Sequence, residues 1–225
     1  MCSRVLVVAL LLVQMLISLD PVSARQMQIK NYDQAREEYF WIELYPNGHE
    51  GIYCGTVLTG GGPESSIEHA FPADWIADNF GCADRNSCDV ADYFWAEADL
   101  HNLWPANRRI NSSRGKLPFG VIPDSLNARR FEQLCEDYER STGSAAVVEP
   151  VDKSKGALAR SILYMSSEYF LIPKGDVQTL IEWALQYPPS EHEKWRNEEI
   201  ERIQGTRNKF IDDPSSVGDF VVPDN

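Results

Sequence analysis

An α+β fold, mainly helical and in a single domain, is what this sequence predicts. Three observations carry the prediction. Apolar residues at helical spacing fill the last third of the chain, a short central stretch has strand character, and about 200 residues remain after an N-terminal leader. That length supports one sizeable core and not two large ones.

Residues 1–24 read as a secretory signal peptide: Arg4 precedes an apolar run from Val5 to Leu19, and Val22-Ser23-Ala24 supplies a small-residue cleavage site. The run is too short and too poorly followed for a membrane span, and it lacks the 3.6-residue period of a half-exposed helix. The domain is therefore set at residues 25–210, with 211–225, IDDPSSVGDFVVPDN, polar and interrupted by two prolines and a glycine, as a tail or an edge-hugging segment. No other stretch approaches membrane-spanning length, so a soluble protein without membrane association is expected, and a monomer.

Residues 27–45 are rich in helix formers and are stopped by Pro46-Asn47-Gly48. Ile52 to Thr59 has strand character, and the glycine triplet at 60–62 is a hinge or tight loop. Without a following Lys-Ser or Lys-Thr it is a poor phosphate loop. Further on, Leu158, Ile162, Met165 and Tyr169 form the stripe of a core-facing helix over 155–169, and Val177, Leu180, Ile181, Ala184 and Leu185 form a second over 176–186. Ser190 and Glu193 are spaced as a capping box opening a third helix, which Gly205 stops. His49 and His192 read as solvated side chains.

With Cys2 in the leader, Cys54, Cys82, Cys88 and Cys135 remain, an even number in a chain bound for an oxidising compartment. Two disulfides follow, with three possible pairings. The short polar loop ADRNS favours Cys82 with Cys88, which leaves Cys54 with Cys135. A zinc site is the competing reading, but the paired C-x2-C halves of a four-thiolate site are missing.

Net charge is −13, and removing the leader leaves it unchanged because Arg4 and Asp20 go together. Such a balance opposes long-range attraction for a polyanion.

Two central stretches carry chemistry. In SSIEHAFPADW, Glu68 and His69 stand side by side, and Pro72 steers the chain away. In EADLHNLWPANRRINSSRG, Pro105 suits the first turn of a helix and Gly115 its stop, placing Asn107 and Asn111 on one face. An asparagine late in a short helix is ordinarily a solvated or capping amide. Asn111-Ser112-Ser113 also matches a glycosylation sequon, read here as accidental.

Glu68-His69 followed by Pro72-Ala73, then Asp99-Leu100-His101-Asn102-Leu103, Pro105-Ala106 and Asn111, resembles the secreted and periplasmic nucleases of the bacterial endonuclease I family. The likeness continues through Gly156-Ala157-Leu158-Ala159-Arg160, Tyr164-Met165, Trp183, Tyr187-Pro188 and Ile203-Gln204-Gly205, covering about Cys54 to Phe210.

The resemblance implies a ββα-metal (His-Me) finger set among helices, and a non-specific endonuclease that cleaves DNA, and RNA too, to 5′-phosphate products. It implies His69 as general base, Glu68 and Asn111 as ligands of one Mg²⁺, with Mn²⁺ or Ca²⁺ as alternatives, and Arg85, three residues before Cys88, as a phosphate contact. The loop around Arg85 is shorter than in relatives. Glu97 is placed as a support orienting His69 through its backbone carbonyl. His101 is an alternative base or, more in keeping with its place in DLHNL, a structural tie.

The residue types suit the chemistry. Mg²⁺ takes hard oxygen ligands and keeps several waters, so one carboxylate and one amide carbonyl suffice. Imidazole accepts a proton near neutral pH. Neighbours on a strand point to opposite faces, which lets Glu68 and His69 serve opposite ends of one displacement.

Arg108, Arg109, Arg114 and Lys116 surround Asn111 as candidate phosphate contacts, with Lys153, Lys155 and Arg160 further along. The acidic total then implies a locally basic groove within an acidic exterior, working where salt screens the repulsion. Two other readings stand beside the nuclease: a secreted binding protein that has lost turnover, whose expected sign is loss of Glu68, His69 or Asn111, and a phosphodiesterase for small substrates.

Overall fold

The computed structural model describes residues 25–224 except 127, 129, 130, 132 and 133. The leader, residues 1–24, lies outside the described residues. Among them, no helix is long and apolar enough to cross a membrane.

The fold is α+β: helices surround short antiparallel strand pairs. Asn31 caps α1 (Tyr32–Gln34), which runs on as a wider, π-helical stretch over Ala35–Leu44 and closes with Tyr45 N–H on the Phe40 carbonyl. β1 (His49–Glu50) pairs with β2 (Val57–Leu58). The strand expected over 52–59 is thus confined to two residues, because the chain turns tightly at Gly51–Gly55, where Gly55 has φ +55°.

The centre is a hairpin-like pair and a helix. β3 (Ser65–His69) lies antiparallel to β4 (Leu103–Asn107), with Ile67 opposite Pro105 and His69 opposite Leu103. Between them come α2 (Ala73–Asn79), α3 (Ala91–Glu97) and one tight turn at Leu100–Asn102. α4 (Arg108–Arg114) follows β4 directly.

Pro105 therefore stands inside a strand and does not open a helix. Its carbonyl accepts from Ile52 N–H, on the side away from β3. On an antiparallel strand a residue's N and C=O face the same way, so the missing proline N–H costs the β3–β4 ladder nothing. Asn107 caps α4 instead, its side chain accepting from Arg109 N–H, and Gly115 at φ +56° ends the helix.

A small pair, β5 (Glu139–Arg140) and β6 (Val148–Glu149), leads into the helical half: α5 (Asp152–Tyr169), α6 (Val177–Gln186), α7 (Glu191–Gln204) and α8 (Lys209–Asp212). The capping box at Ser190 and Glu193 is formed, and Gly205 closes α7 in the left-handed region. The segment beyond 210 packs down: Ile211 and Val217 are buried, the latter in the main core with α5 and α6 side chains.

Two apolar clusters flank the central strands. The larger joins α2, α4, α5 and α6 around Trp75, Ile110, Leu158 and Trp183. The smaller joins the first helix to α7 around Phe40, Leu44, Ile67, Leu103 and Ile200. Both disulfides are as the loop spacing favours, Cys82–Cys88 and Cys54–Cys135, which closes the zinc reading.

Candidate active site

The alternation of β3 distributes the site. Ser66 and Glu68 face α4, whereas Ile67 and His69 face the first helix. Glu68 is buried at 1% exposure, and its Oε1 accepts from Arg114 Nη1 at 2.7 Å. The fully buried Tyr53 phenol neighbours the carboxylate without a hydrogen bond of standard geometry. Burial raises the Glu68 carboxyl above its ordinary range, and Arg114 opposes that shift.

His69, at 9% exposure, places Nε2 3.1 Å from the carbonyl oxygen of Glu97. A carbonyl only accepts, so Nε2 carries the proton and Nδ1 is the nitrogen with a free lone pair. Nδ1 has no hydrogen bond among the described residues. Burial, and next the Arg85 guanidinium, push the imidazole down to about 3, so it is neutral at physiological pH. The Glu97 carboxylate in turn accepts from Arg85 Nη2 at 2.8 Å, holding the arginine that the Cys82–Cys88 loop presents. Tyr32 of α1 lays its ring against His69, centroids 4.8 Å apart.

Asn111 donates Nδ2 to Ser66 Oγ (3.1 Å) and to the Ile67 carbonyl (3.0 Å). Both bonds hold the amide nitrogen toward β3, so Oδ1 is turned away from the strand and has no hydrogen bond among the described residues. A cleft of about 340 Å³ brings Glu68, His69, Arg85, Arg108, Asn111 and Lys116 together, with Tyr32 and Asp74 on its walls. Among the described residues no group of three or more His, Cys, Asp or Glu is arranged to hold a metal ion. A hard cation here would therefore rely on the Asn111 amide oxygen and the Glu68 oxygen that Arg114 leaves free, a donor set that suits Mg²⁺.

Several expected cations are elsewhere. Arg114 is not an exposed phosphate contact. At 1% exposure its Nε donates to the Leu117 carbonyl, Nη1 to Glu68 and the His69 carbonyl, and Nη2 to the Ala70 carbonyl, with Phe119 under the guanidinium at 4.5 Å. It braces the end of β3 from beneath. Arg109 is exposed but lines a separate cavity beside β2, over the Phe131 ring. Arg160 is buried in a two-pronged pair with Glu193, and Lys155 is held by Glu149 and Asp152. That leaves Arg85, Arg108 and Lys116 as the cleft's accessible cations, the last 3.8 Å from Asp74.

His101 is not brought to the cleft. Fully buried, it places Nε2 3.1 Å from the Thr206 carbonyl and packs on Tyr164, tying the central turn to the end of α7.

Residues 27–215 match the protein family described as Endonuclease I. The chain belongs to the endonuclease I family. It is 32% identical over 150 residues to an extracellular deoxyribonuclease of Aeromonas hydrophila, covering 64% of each chain. A periplasmic deoxyribonuclease of the same organism is 31% identical over 150 residues, 64% of this chain and 62% of the relative. An extracellular ribonuclease of Bacillus subtilis (strain 168) is 31% identical over 138 residues, 52% of this chain and 44% of the relative. The matched part thus spans just under two thirds of the deoxyribonucleases and less than half of the ribonuclease.

Within this endonuclease I chain, sequence reasoning passed over Tyr32, Ser66 and Tyr53. Ser66 was accessible through alternation, since it shares a face with Glu68. Tyr32 had no such signal, because its contact with His69 spans 37 positions and belongs to tertiary packing.

Proposed function

We propose that this protein is a secreted or periplasmic, divalent-metal-dependent endonuclease that hydrolyses phosphodiester bonds of DNA and RNA without sequence preference. One observation carries the reading: with Nε2 committed to Glu97, the free Nδ1 of a neutral His69 shares a cleft with the Asn111 and Glu68 oxygens and with Arg85. The names of its relatives, deoxyribonucleases and ribonucleases described as extracellular or periplasmic, support the substrate class and location.

His69 Nδ1 takes a proton from a water molecule as its oxygen attacks phosphorus. The bond from phosphorus to the 3′-oxygen breaks, and the departing oxygen takes a proton from solvent, leaving a 5′-phosphate and a 3′-hydroxyl. Glu97 keeps the imidazole in the tautomer that leaves Nδ1 basic, and it sustains the imidazolium that forms. Arg85 faces the phosphate oxygens as charge builds on them. When bound by Glu68 and Asn111, Mg²⁺ would supply positive charge at the leaving-oxygen side. Asn111 and Arg114 hold that side rigid, one through Ile67 and one through the carbonyls of residues 69 and 70.

Arg108 and Lys116 at the rim bind backbone phosphate and read no base. Few accessible cations on an acidic chain fit cleavage that tolerates salt; a steep monotonic loss of rate on adding salt would count against it.

Plasmid incubated with the protein, with and without chelator and beside His69→Ala, tests the reading. Nicking that chelator and substitution both abolish is expected. A shift in plasmid mobility without nicking identifies a binding protein, and hydrolysis of a chromogenic diester with intact plasmid identifies a small-substrate phosphodiesterase.

A further inference from the structure

A hydrogen bond to one ring nitrogen fixes where that nitrogen sits but leaves the imidazole free to rock about it. A general base needs its other nitrogen aimed within a few tenths of an ångström. In His69 the bond from Nε2 to the Glu97 carbonyl is the first restraint. The second is the Tyr32 ring, tilted 50° against the imidazole with centroids 4.8 Å apart. On the tyrosine itself the Arg36 guanidinium lies 5.8 Å from the ring centroid and is held by Asp33 and Glu37.

These two restraints belong to elements that are locked together. Gln26, fully buried, donates Nε2 to the Trp95 carbonyl on α3 and to the Ile29 carbonyl, while its Oε1 accepts from the N–H groups of residues 28 and 29. Arg25 pairs with Asp92 on the same helix. Asn31 then caps α1 and sets Tyr32 in its first turn. The segment bearing Tyr32 is thus fastened to the helix whose last residue, Glu97, holds His69.

We propose that Tyr32 is a positioning residue for His69, its ring closing one face of the imidazole so that Nδ1 stays aimed into the cleft. The inference rests on the reading of His69 as the general base. It assigns the N-terminal helix a part in the reaction, because that helix delivers the ring. The ring does this and not the hydroxyl, which makes no hydrogen bond among the described residues, so phenylalanine should serve as well.

The test combines kinetics with a spectroscopic readout that does not depend on activity. Tyr32→Phe should keep kcat within about twofold. Tyr32→Ala and Tyr32→Leu should each lower kcat about tenfold or more with KM nearly unchanged, the pattern of lost orientation and not of lost binding. In proton NMR, the His69 ring signals, identified by their absence in His69→Ala, should carry a ring-current shift that persists in Tyr32→Phe and vanishes in Tyr32→Leu. The leucine variant preserves apolar bulk, so it decides the matter even where alanine unfolds the segment. Wild-type kcat in Tyr32→Leu, with His69→Ala inactive, overturns the proposal. Full activity in His69→Ala overturns the general-base reading instead, while the NMR shift still reports whether the ring contact exists.

Discussion

The backbone carbonyl of Glu97 lies 3.1 Å from Nε2 of His69, and the same residue's carboxylate holds Arg85 at 2.8 Å. One residue thus serves two partners by two different groups, and substitution separates them. Glu97→Gln keeps the carbonyl and loses the charge. Expected is a kcat lowered about tenfold with KM nearly unchanged, as Arg85 loosens from the phosphate on which charge builds, whereas His69→Ala should lower kcat by about 10²–10⁴. Steady-state cleavage of a fluorogenic oligonucleotide distinguishes them; equal losses of kcat would mean that the carboxylate takes part in the proton transfer.

Arg114 and Arg108 stand six positions apart on one short helix with opposite environments. Removing one partner of a buried ion pair leaves the other charge unpaired, so Arg114→Ala should cost about 3–5 kcal/mol in urea unfolding. Lysine should not rescue it, because one ammonium cannot reach the three carbonyls and the carboxylate that the guanidinium spans. Arg108 is exposed and its guanidinium donates to the Pro63 and Ser65 carbonyls, so Arg108→Ala should cost about 1–2 kcal/mol, well short of Arg114→Ala, and lower the slope of log affinity against log salt by about 0.9. A stable Arg114→Ala with a reduced salt slope would restore Arg114 to the groove.

That contrast marks how far local sequence reading reaches. Helices α5 to α7 were legible because stripes and caps are properties of neighbouring residues, as with Ser190, Glu193 and Gly205. Glu68, His69, Arg85 and Asn111, taken from motif resemblance, do converge on one cleft. What local reading missed depends on partners distant in sequence. Arg114 and Arg160 resemble surface charges until the carbonyls and carboxylates that absorb them are brought up by the fold. Pro105 obeyed a valid preference for helix starts, but the side of β4 on which its nitrogen lies is decided by Ile52.

The two disulfides should fail differently. Cys54–Cys135 spans 81 positions and Cys82–Cys88 only 6. In the loop-entropy account, losing the first costs about 4–5 kcal/mol and losing the second about 2 kcal/mol. The short bridge, however, frames the loop that presents Arg85 to the cleft. Paired serine substitutions at 82 and 88 should therefore reduce cleavage more than stability, and those at 54 and 135 should do the reverse. Chemical unfolding alongside plasmid nicking reads both quantities, and equal activity losses at equal stability would refute the division.

Acid stability offers a further check, centred on His192. Its ring stacks on His49 of β1, centroids 3.6 Å apart and planes 15° apart, with Trp195 stacked at 5.4 Å and Tyr45 and Trp104 around the pair. Arg196 lies close enough to repel a proton, while the neighbouring carboxylates Glu50 and Glu193 are engaged by Lys153 and Arg160. Burial, then His49 and Arg196, push His192 down to about 3. In the unfolded chain it would take a proton near ~6.5. Between those values the unfolded state binds more protons, so this group's contribution is whole above about 6.5 and is lost as pH falls toward 3. Glu168 works in the opposite sense: burial raises it to about 6, so its contribution is present in acid and fades as pH rises through 6, softening the first part of the decline. His192→Phe retains a flat ring for the stack and removes the titrating nitrogens. Its urea midpoint should match wild type at pH 8 and exceed it at pH 5; parallel curves over that range would show that His192 takes up its proton as readily in the folded protein as in the unfolded chain.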